Sequence, residues 1–275
     1  MRKDGILLKN IDPMRKLMPY LFKSRNGNIV YSPEEIEFDF SKDYLRNLNK
    51  SNPGLKIGTF ELIITALIRT FAMYPYLNRF VANKKIYARN NFSLCFVVLK
   101  LIDGKYVEST AKVFFNKTES IFEVSKKIND AIELSRSNVV KDDDKLMSFF
   151  ANLPSPILTF SAWAINNLIH IGVVPKKITD AIPLFSSVYI SNLGSIGHNT
   201  LHHHLFEWGT TSIFLTMGKI TKRNDKSFLN VVFSVDERIA DGIYLVKALR
   251  YFSKLLKHPE ALELPLYEIV EDDGI

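Results

Sequence analysis

Asp236-Glu237-Arg238-Ile239-Ala240-Asp241-Gly242 is the stretch on which the reading of this 275-residue chain turns. Ahead of it, Phe228 to Val235 is mostly apolar and rich in β-branched and aromatic side chains, the composition of a strand. Behind it, Ile243, Val246, Leu249, Tyr251 or Phe252, and Leu256 recur at helical spacing. Asp241 stands where a helix N-cap belongs. Lys254, Lys257 and His258 fill the last turn, where positive charge suits the helix dipole, and Pro259 stops it. The charged stretch is therefore the join between a strand and the last helix.

Working outward, Ser186 to Ser191 and Ser212 to Lys219 read as further strands. Asn224-Asp225 interrupts the basic cluster Lys219 to Lys226 as a strand-to-strand turn does. In the first half, Leu17 to Lys23 reads as a short helix and Ile36 to Phe40 as a half-buried strand. A helical stretch around Tyr44 to Leu48 runs into the turn Ser51-Asn52-Pro53-Gly54. Thr59 to Tyr74 is a helix with apolar positions at 60, 63, 64, 67, 68 and 71. Phe92 to Leu101 and Tyr106 to Phe115 are strands joined at Asp103-Gly104. Ser120 and Glu123 form a capping box that opens a helix to about Leu134. The sum is an α+β domain spanning 1–275, with an antiparallel or mixed sheet and helices packed on one face.

Hydrophobic residues make up 47% and charged residues 24%, enough for a sizeable core. The net charge of +7 is spread without a basic run of five, which argues against nucleic acid and suits a small anionic substrate. Cys95 is the single cysteine, so an intramolecular disulfide and a cysteine-based zinc site are excluded; it reads as a buried thiol. Met1 to Asp12 lacks the apolar stretch of a signal peptide, which makes the cytoplasm the expected compartment. From Leu146 to Pro175 no residue is charged, and Lys145, Lys176 and Lys177 flank the stretch. Pro154 and Pro156 limit its helical part to Ile157 to Val174, short of the about 20 apolar residues of a span. This inserted segment, 146–175, reads first as a buried or interface helix. A membrane-surface element and a true span are its other readings.

Two motifs carry a family resemblance. Val188-Tyr189-Ile190-Ser191-Asn192-Leu193-Gly194 looks like the strand-and-turn of the dihydrolipoyl acyltransferase catalytic core. Asp236-Glu237-Arg238-Ile239-Ala240-Asp241-Gly242 is similar to its Asp-His-Arg-x-x-Asp-Gly signature. Met14-Arg15-Lys16 and Pro75-Tyr76-Leu77-Asn78 agree more loosely. The resemblance implies a chloramphenicol acetyltransferase-like mixed sheet and a homotrimer with active sites in channels between subunits. It also implies acyl transfer from acyl-coenzyme A to a small hydroxyl, amine or thiol acceptor. Neither a metal nor a covalently bound lipoyl group is expected on this chain, which looks like a stand-alone core.

At the place of the family's catalytic histidine stands Glu237. Histidine is suited to general-base work near neutrality, whereas a glutamate, with a reference value of about 4.3, needs burial to serve. Glu237 as a working base, loss of activity with retention of a trimeric scaffold, and a substitute histidine are the three readings. The substitute would come from His202-His203-His204, where alternation in an extended segment puts His202 and His204 on one face. An exposed polar loop is the plainer reading of that run. Ser191 occupies the place from which the family donates a hydroxyl to the oxyanion; otherwise it is a strand-end serine bonded to backbone. Asp241 is expected to cap its helix and to pair with Arg15 or Arg238. Gly194 and Gly242 are expected to answer backbone demands. Glu207-Trp208-Gly209 either lines the channel or forms a turn with a packed tryptophan.

Overall fold

The structure, a computed structural model, describes residues 2–102, 104–137 and 148–275. A six-stranded sheet forms its centre. The strands are β2 (Ile29–Glu37), β5 (Phe92–Ile102), β6 (Lys105–Phe115), β7 (Val188–Asn192), β8 (Ile213–Arg223) and β9 (Lys226–Asp236). Their order is β2-β9-β8-β7-β5-β6; β7 runs parallel to both neighbours and the other pairings are antiparallel. Hence the sheet is mixed.

Helix α1 (Pro13–Leu21) lies near the start of the chain, and helices α2 (Asp39–Ser51), α3 (Thr59–Met73), α4 (Ile121–Arg136) and α7 (Gly242–Lys257) cover one face. Leu62, Leu67, Phe71, Ile190, Leu215, Phe233 and Phe252 are buried in the layer between them. The α3 helix read from sequence forms, but it is buried on all sides from Glu61 to Ala72 rather than along one apolar face. The Ser120–Glu123 capping box opens α4. Asn224 and Asp225 both take positive φ, 50° and 60°, in the two-residue turn between β8 and β9.

Three readings are corrected. The strand placed at Ile36 to Phe40 is β2, and it ends at Glu37. Asp39 accepts a hydrogen bond from the Ser227 N–H at 2.9 Å, which anchors the start of α2 and turns Phe40 out to solvent. The second correction adds a three-stranded sheet of order β1-β4-β3, from β1 (Gly5–Leu7), β3 (Arg79–Ala82) and β4 (Lys85–Arg89). Third, of the two forms of the first reading, a buried or an interface helix, the uncharged segment does not take the one buried within the chain. Helix α5 (Ser155–Ile171), which packs on β3, buries only Ile169, while Phe160 and Trp163 are 66% and 62% exposed. Among the described residues no helix is long and apolar enough to cross a membrane. Asp103 and the charged stretch Lys141 to Lys145 lie outside the described residues, as does the start of the uncharged segment at 146–147.

The sheet's other face carries a cross-strand row: Lys112, Cys95, Tyr189, Phe214, Ser234 and Tyr31 are paired in register. Cys95 is buried against Tyr189 and Phe214. Lys112 donates to the Thr179 and Ile182 carbonyls, at 2.7 and 3.2 Å, at the end of α6 (Lys176–Ala181). Burial, with Arg89 adding to it, pushes its ammonium down to about 7. The unfolded chain then holds a proton between about pH 7 and 10.5 that the folded chain lacks, so stability rises with pH across that window and falls as pH drops through 7. Urea unfolding of the wild type between pH 6 and about 10 is expected to show this slope. Lys112→Met should flatten it, and an unchanged slope would remove Lys112 as its source.

Candidate functional site

Asp236 ends β9 with its side chain fully buried. A buried carboxylate needs paired charge and hydrogen bonds. Arg238 supplies a fork, Nε to Oδ1 at 2.8 Å and Nη2 to Oδ2 at 2.7 Å, and its backbone N–H adds a third bond at 3.2 Å. Arg25 approaches from the other side, Nε to Oδ2 at 3.8 Å. Burial presses the Arg25 guanidinium down, and Asp236 opposes that.

Both arginines then reach away from the carboxylate. Arg238 Nη1 donates to the Phe22 and Lys23 carbonyls at 3.1 and 3.3 Å. Arg25 donates to the carbonyls of Phe206 and, at 3.1 Å, Gly209. Glu207 returns the contact, accepting from the Arg25 and Asn26 N–H groups at 3.0 and 2.8 Å. Partial burial pushes the Glu207 carboxyl up, but these bonds and the Arg25 charge carry it below its ordinary value. One network ties the 236–241 turn, the chain around 22–26 and the 205–209 loop.

Within this frame Glu237 is fixed by its backbone. Its N–H donates to the Asn28 carbonyl at 3.0 Å, and its carbonyl accepts from Arg15 Nη1 at 3.4 Å. The side chain is exposed and makes no hydrogen bond among the described residues. Asp241 caps α7 by accepting from the Tyr244 N–H at 2.6 Å and pairs with Arg15 at 3.5 Å. Of the two arginines considered for it, Arg15 is the partner; Arg238 belongs to Asp236.

The histidines differ from the alternating arrangement. Residues 201–206 form no strand, and the close pair is His203–His204, stacked at 4.6 Å, whereas His202 meets the Tyr31 ring edge-on. His203 also stacks on Phe214 at 3.8 Å. Its Nδ1 lies 2.7 Å from the His204 carbonyl, which can only accept, so Nδ1 carries the proton and Nε2 keeps its lone pair in the neutral ring. Burial lowers its pKa, against the raising effect of that bond.

Ser191 lies on the same face as this ring. Tyr189 stacks on Phe214, so Ser191, two residues along β7, and its partner Thr216 face the same way. The diagonal from Ser191 to Phe214 is about 8 Å between Cα atoms. Thr216 Oγ1 donates to the Leu201 carbonyl at 2.7 Å and holds the histidine segment over the face. The Ser191 hydroxyl makes no hydrogen bond among the described residues, so the backbone-bonded reading does not hold.

Glu237 is not brought to Ser191. The register runs from Ser191 to Thr216 to Val232, and Glu237 is five residues further along. Two strand spacings and five residues put the Cα atoms roughly 19 Å apart.

Gly194 packs on the Gly218 backbone, where a Cβ would meet the carbonyl oxygen at 2.7 Å, so it answers a close approach. Gly242 does not: a Cβ there would meet open space and its φ is not positive, and nothing in the chain explains it. Trp208 packs edge-on against Phe185, and Gly209 has φ 85°, so this stretch is a turn. Arg25 and Asn28 were not singled out from sequence; nothing in Lys23-Ser24-Arg25 distinguishes a buried arginine from a surface one. A cavity of about 740 Å³ between β4, the β5–β6 ends and residues 269–272 includes none of the candidate residues.

Removing one member of a buried pair strands the other charge, at a cost of about 3–5 kcal/mol. Asp236→Ala is expected to lower unfolding stability by about that amount, measured by urea denaturation. Glu237→Ala should stay within about 0.5 kcal/mol of wild type. Equal losses in the two variants would contradict the frame described.

No protein-family model matches the sequence, and no curated protein matches it either. Solved structures do match. The dihydrolipoamide acetyltransferase of Azotobacter vinelandii, an enzyme whose mechanism has been probed at a serine, a histidine and an asparagine, aligns with a TM-score of 0.61 at 14% identity over 93% of this chain and 94% of that one. A truncated catalytic core of the 2-oxoacid dehydrogenase complex from Thermoplasma acidophilum gives 0.60 at 16% identity, over 92% and 99%. A chloramphenicol acetyltransferase gives 0.54 at 12% identity, over 94% and 99%. At these identities the likeness establishes the fold: the chain is built as the chloramphenicol acetyltransferase-like acyltransferases are, with the α+β architecture of the 2-oxoacid dehydrogenase catalytic cores.

Proposed function

We propose that this protein transfers an acyl group from acyl-coenzyme A to a small hydroxyl, amine or thiol, at a site completed between copies of the chain in a homotrimer. The observation that carries the reading is the 236–242 turn in an acyltransferase fold: a buried Asp236–Arg238 fork and an Asp241–Arg15 pair hold residue 237 outward at the end of β9. The sheet supports a site shared between copies. Ser191 and Glu237, roughly 19 Å apart in one chain, cannot both touch one reacting carbonyl. Joining the Ser191 face of one copy to the 237 turn of the next brings them together, as a head-to-tail ring allows.

In this reading His203 is the base. Its free Nε2 takes the proton from the acceptor, whose heteroatom attacks the thioester carbonyl. The Ser191 hydroxyl donates to the resulting oxyanion. Collapse breaks the carbon–sulfur bond, and the imidazolium returns the proton to the departing thiolate. His204 braces the His203 ring by stacking and by its carbonyl. Glu237, entering from the neighbouring copy, orients the acceptor or the imidazolium.

The test is turnover of acetyl-coenzyme A against a panel of small acceptors. His203→Ala is expected to lower kcat/KM by about 10²–10⁴, and Ser191→Ala by about 10²–10³. Glu237→Ala should cost at least about tenfold. Because burial lowers the His203 pKa, kcat/KM should rise with pH through a value below the ordinary imidazole range. Mixed assemblies refolded from Ser191→Ala and Glu237→Ala chains should regain turnover if the site is shared between copies. Turnover indifferent to His203→Ala but lost in Glu237→Ala, and restored by Glu237→His, would make residue 237 the base. No turnover and no binding of coenzyme A would leave an inactive scaffold with this fold.

A further inference from the structure

Among the described residues, nothing packs on one apolar side of helix α5. Leu158, Ile165 and Ile169 form its less exposed stripe, and the helix packs on β3. Ile157, Phe160, Leu168 and Ile171, at helical spacing, form an outward stripe that is 45–66% exposed, and Trp163 stands beside it at 62%. Contiguous exposed aromatic and aliphatic side chains of this extent mark a docking surface.

Among the described residues, lysines outnumber the carboxylates around the helix, which are Asp4 and, on α6, Asp180. Its C-terminal end is fastened to the β3–β4 turn, where the Asn83 N–H lies 3.3 Å from His170 Nδ1, and to Arg2, whose Nη1 lies 3.4 Å from the His170 carbonyl. Those contacts place the exposed Lys84 and Lys85, the tip of that turn, and Lys3 at the end of the helix. Lys176 opens α6 immediately after it. The nearby Asp4 is occupied by Arg2 at 2.6 and 3.0 Å. Residues 148–175 contain no carboxylate at all.

We infer that the outward face of α5, with the lysines at its end, docks on an anionic lipid surface. The charge decides between occupants. A second copy would bring the same lysines to the contact and no carboxylate from this segment to pair with them, whereas anionic headgroups supply what the lysines need. The seventeen-residue helix is about 25 Å long, short of the hydrocarbon core. It therefore lies in the interface, with Trp163 and Phe160 at the depth such aromatics favour. Membrane docking would bring the acyl-transfer fold to apolar acyl donors or acceptors, but the docking inference does not depend on the activity.

The experiment is flotation of the full chain with vesicles of phosphatidylcholine alone and of phosphatidylcholine mixed with phosphatidylglycerol, at low and high salt. Binding to the mixed vesicles, weakened by salt and accompanied by a blue shift of tryptophan emission, is expected. Phe160→Glu, at an exposed position, should lower partitioning by at least about tenfold. Each of Lys84→Ala and Lys85→Ala should lower it about fivefold and reduce the salt effect. No flotation with the anionic vesicles, or flotation indifferent to Phe160→Glu, would overturn the inference. So would a particle mass by light scattering that falls on Phe160→Glu while vesicles are ignored, which would make α5 a contact between copies.

Discussion

Asp236 has its carboxylate sealed from water between two guanidinium groups, and most of what surrounds the candidate site hangs on that arrangement. A lone buried carboxylate would be intolerable, so Arg238 and Arg25 are held where they are by the electrostatics of burial. Each arginine has more donors than Asp236 can satisfy. The spare ones take carbonyls from two other parts of the chain, Phe22 and Lys23 on one side and Phe206 and Gly209 on the other. The turn bearing Glu237 and the loop that follows the three histidines are thereby set in one frame. A perturbation at Asp236 should reach both candidate base positions at once.

Strand order sets the second constraint. Because β7 and β8 run parallel while β8 and β9 run antiparallel, the C-terminal ends of β7 and β9 lie at opposite ends of the sheet. Ser191 is at one and Glu237 at the other. No loop rearrangement within a chain closes a gap fixed by hydrogen-bonded register, since slipping a strand by one residue would turn its buried side chains to the wrong face. Oligomerisation is the remaining route to a site that uses both. His203 differs, because its ring already lies over the strand adjacent to Ser191.

What could be read from the sequence follows a physical line. The α3 helix, the Ser120–Glu123 capping box, the Asp241 cap and the Asn224-Asp225 turn were legible because each rests on contacts within a few residues. The β3–β4 hairpin was not: its turn puts Asn83 and Lys84 at positive φ, and a lysine there gives no warning. The Asp236–Arg25 pair joins residues 211 positions apart, a distance over which no spacing rule operates. The uncharged segment 146–175 was legible only in part. Its composition says that water is disfavoured, which fits burial or an interface alike; within the chain the structure leaves one face of its helix outward.

The frame also shows how little the fold asks of the side chain at position 237. Every contact that holds position 237 runs through its backbone: the N–H to Asn28 and the carbonyl from Arg15. The side chains that stabilise the turn belong to Asp236, Arg238 and Asp241. Folding therefore constrains the neighbours and leaves residue 237 free. An imidazole and a carboxylate would sit there with little difference in stability, so the glutamate cannot be attributed to the needs of the fold. Any role of the glutamate therefore rests with its exposed carboxylate. The residue that the fold constrains least in this turn is thus the one whose chemistry is most informative.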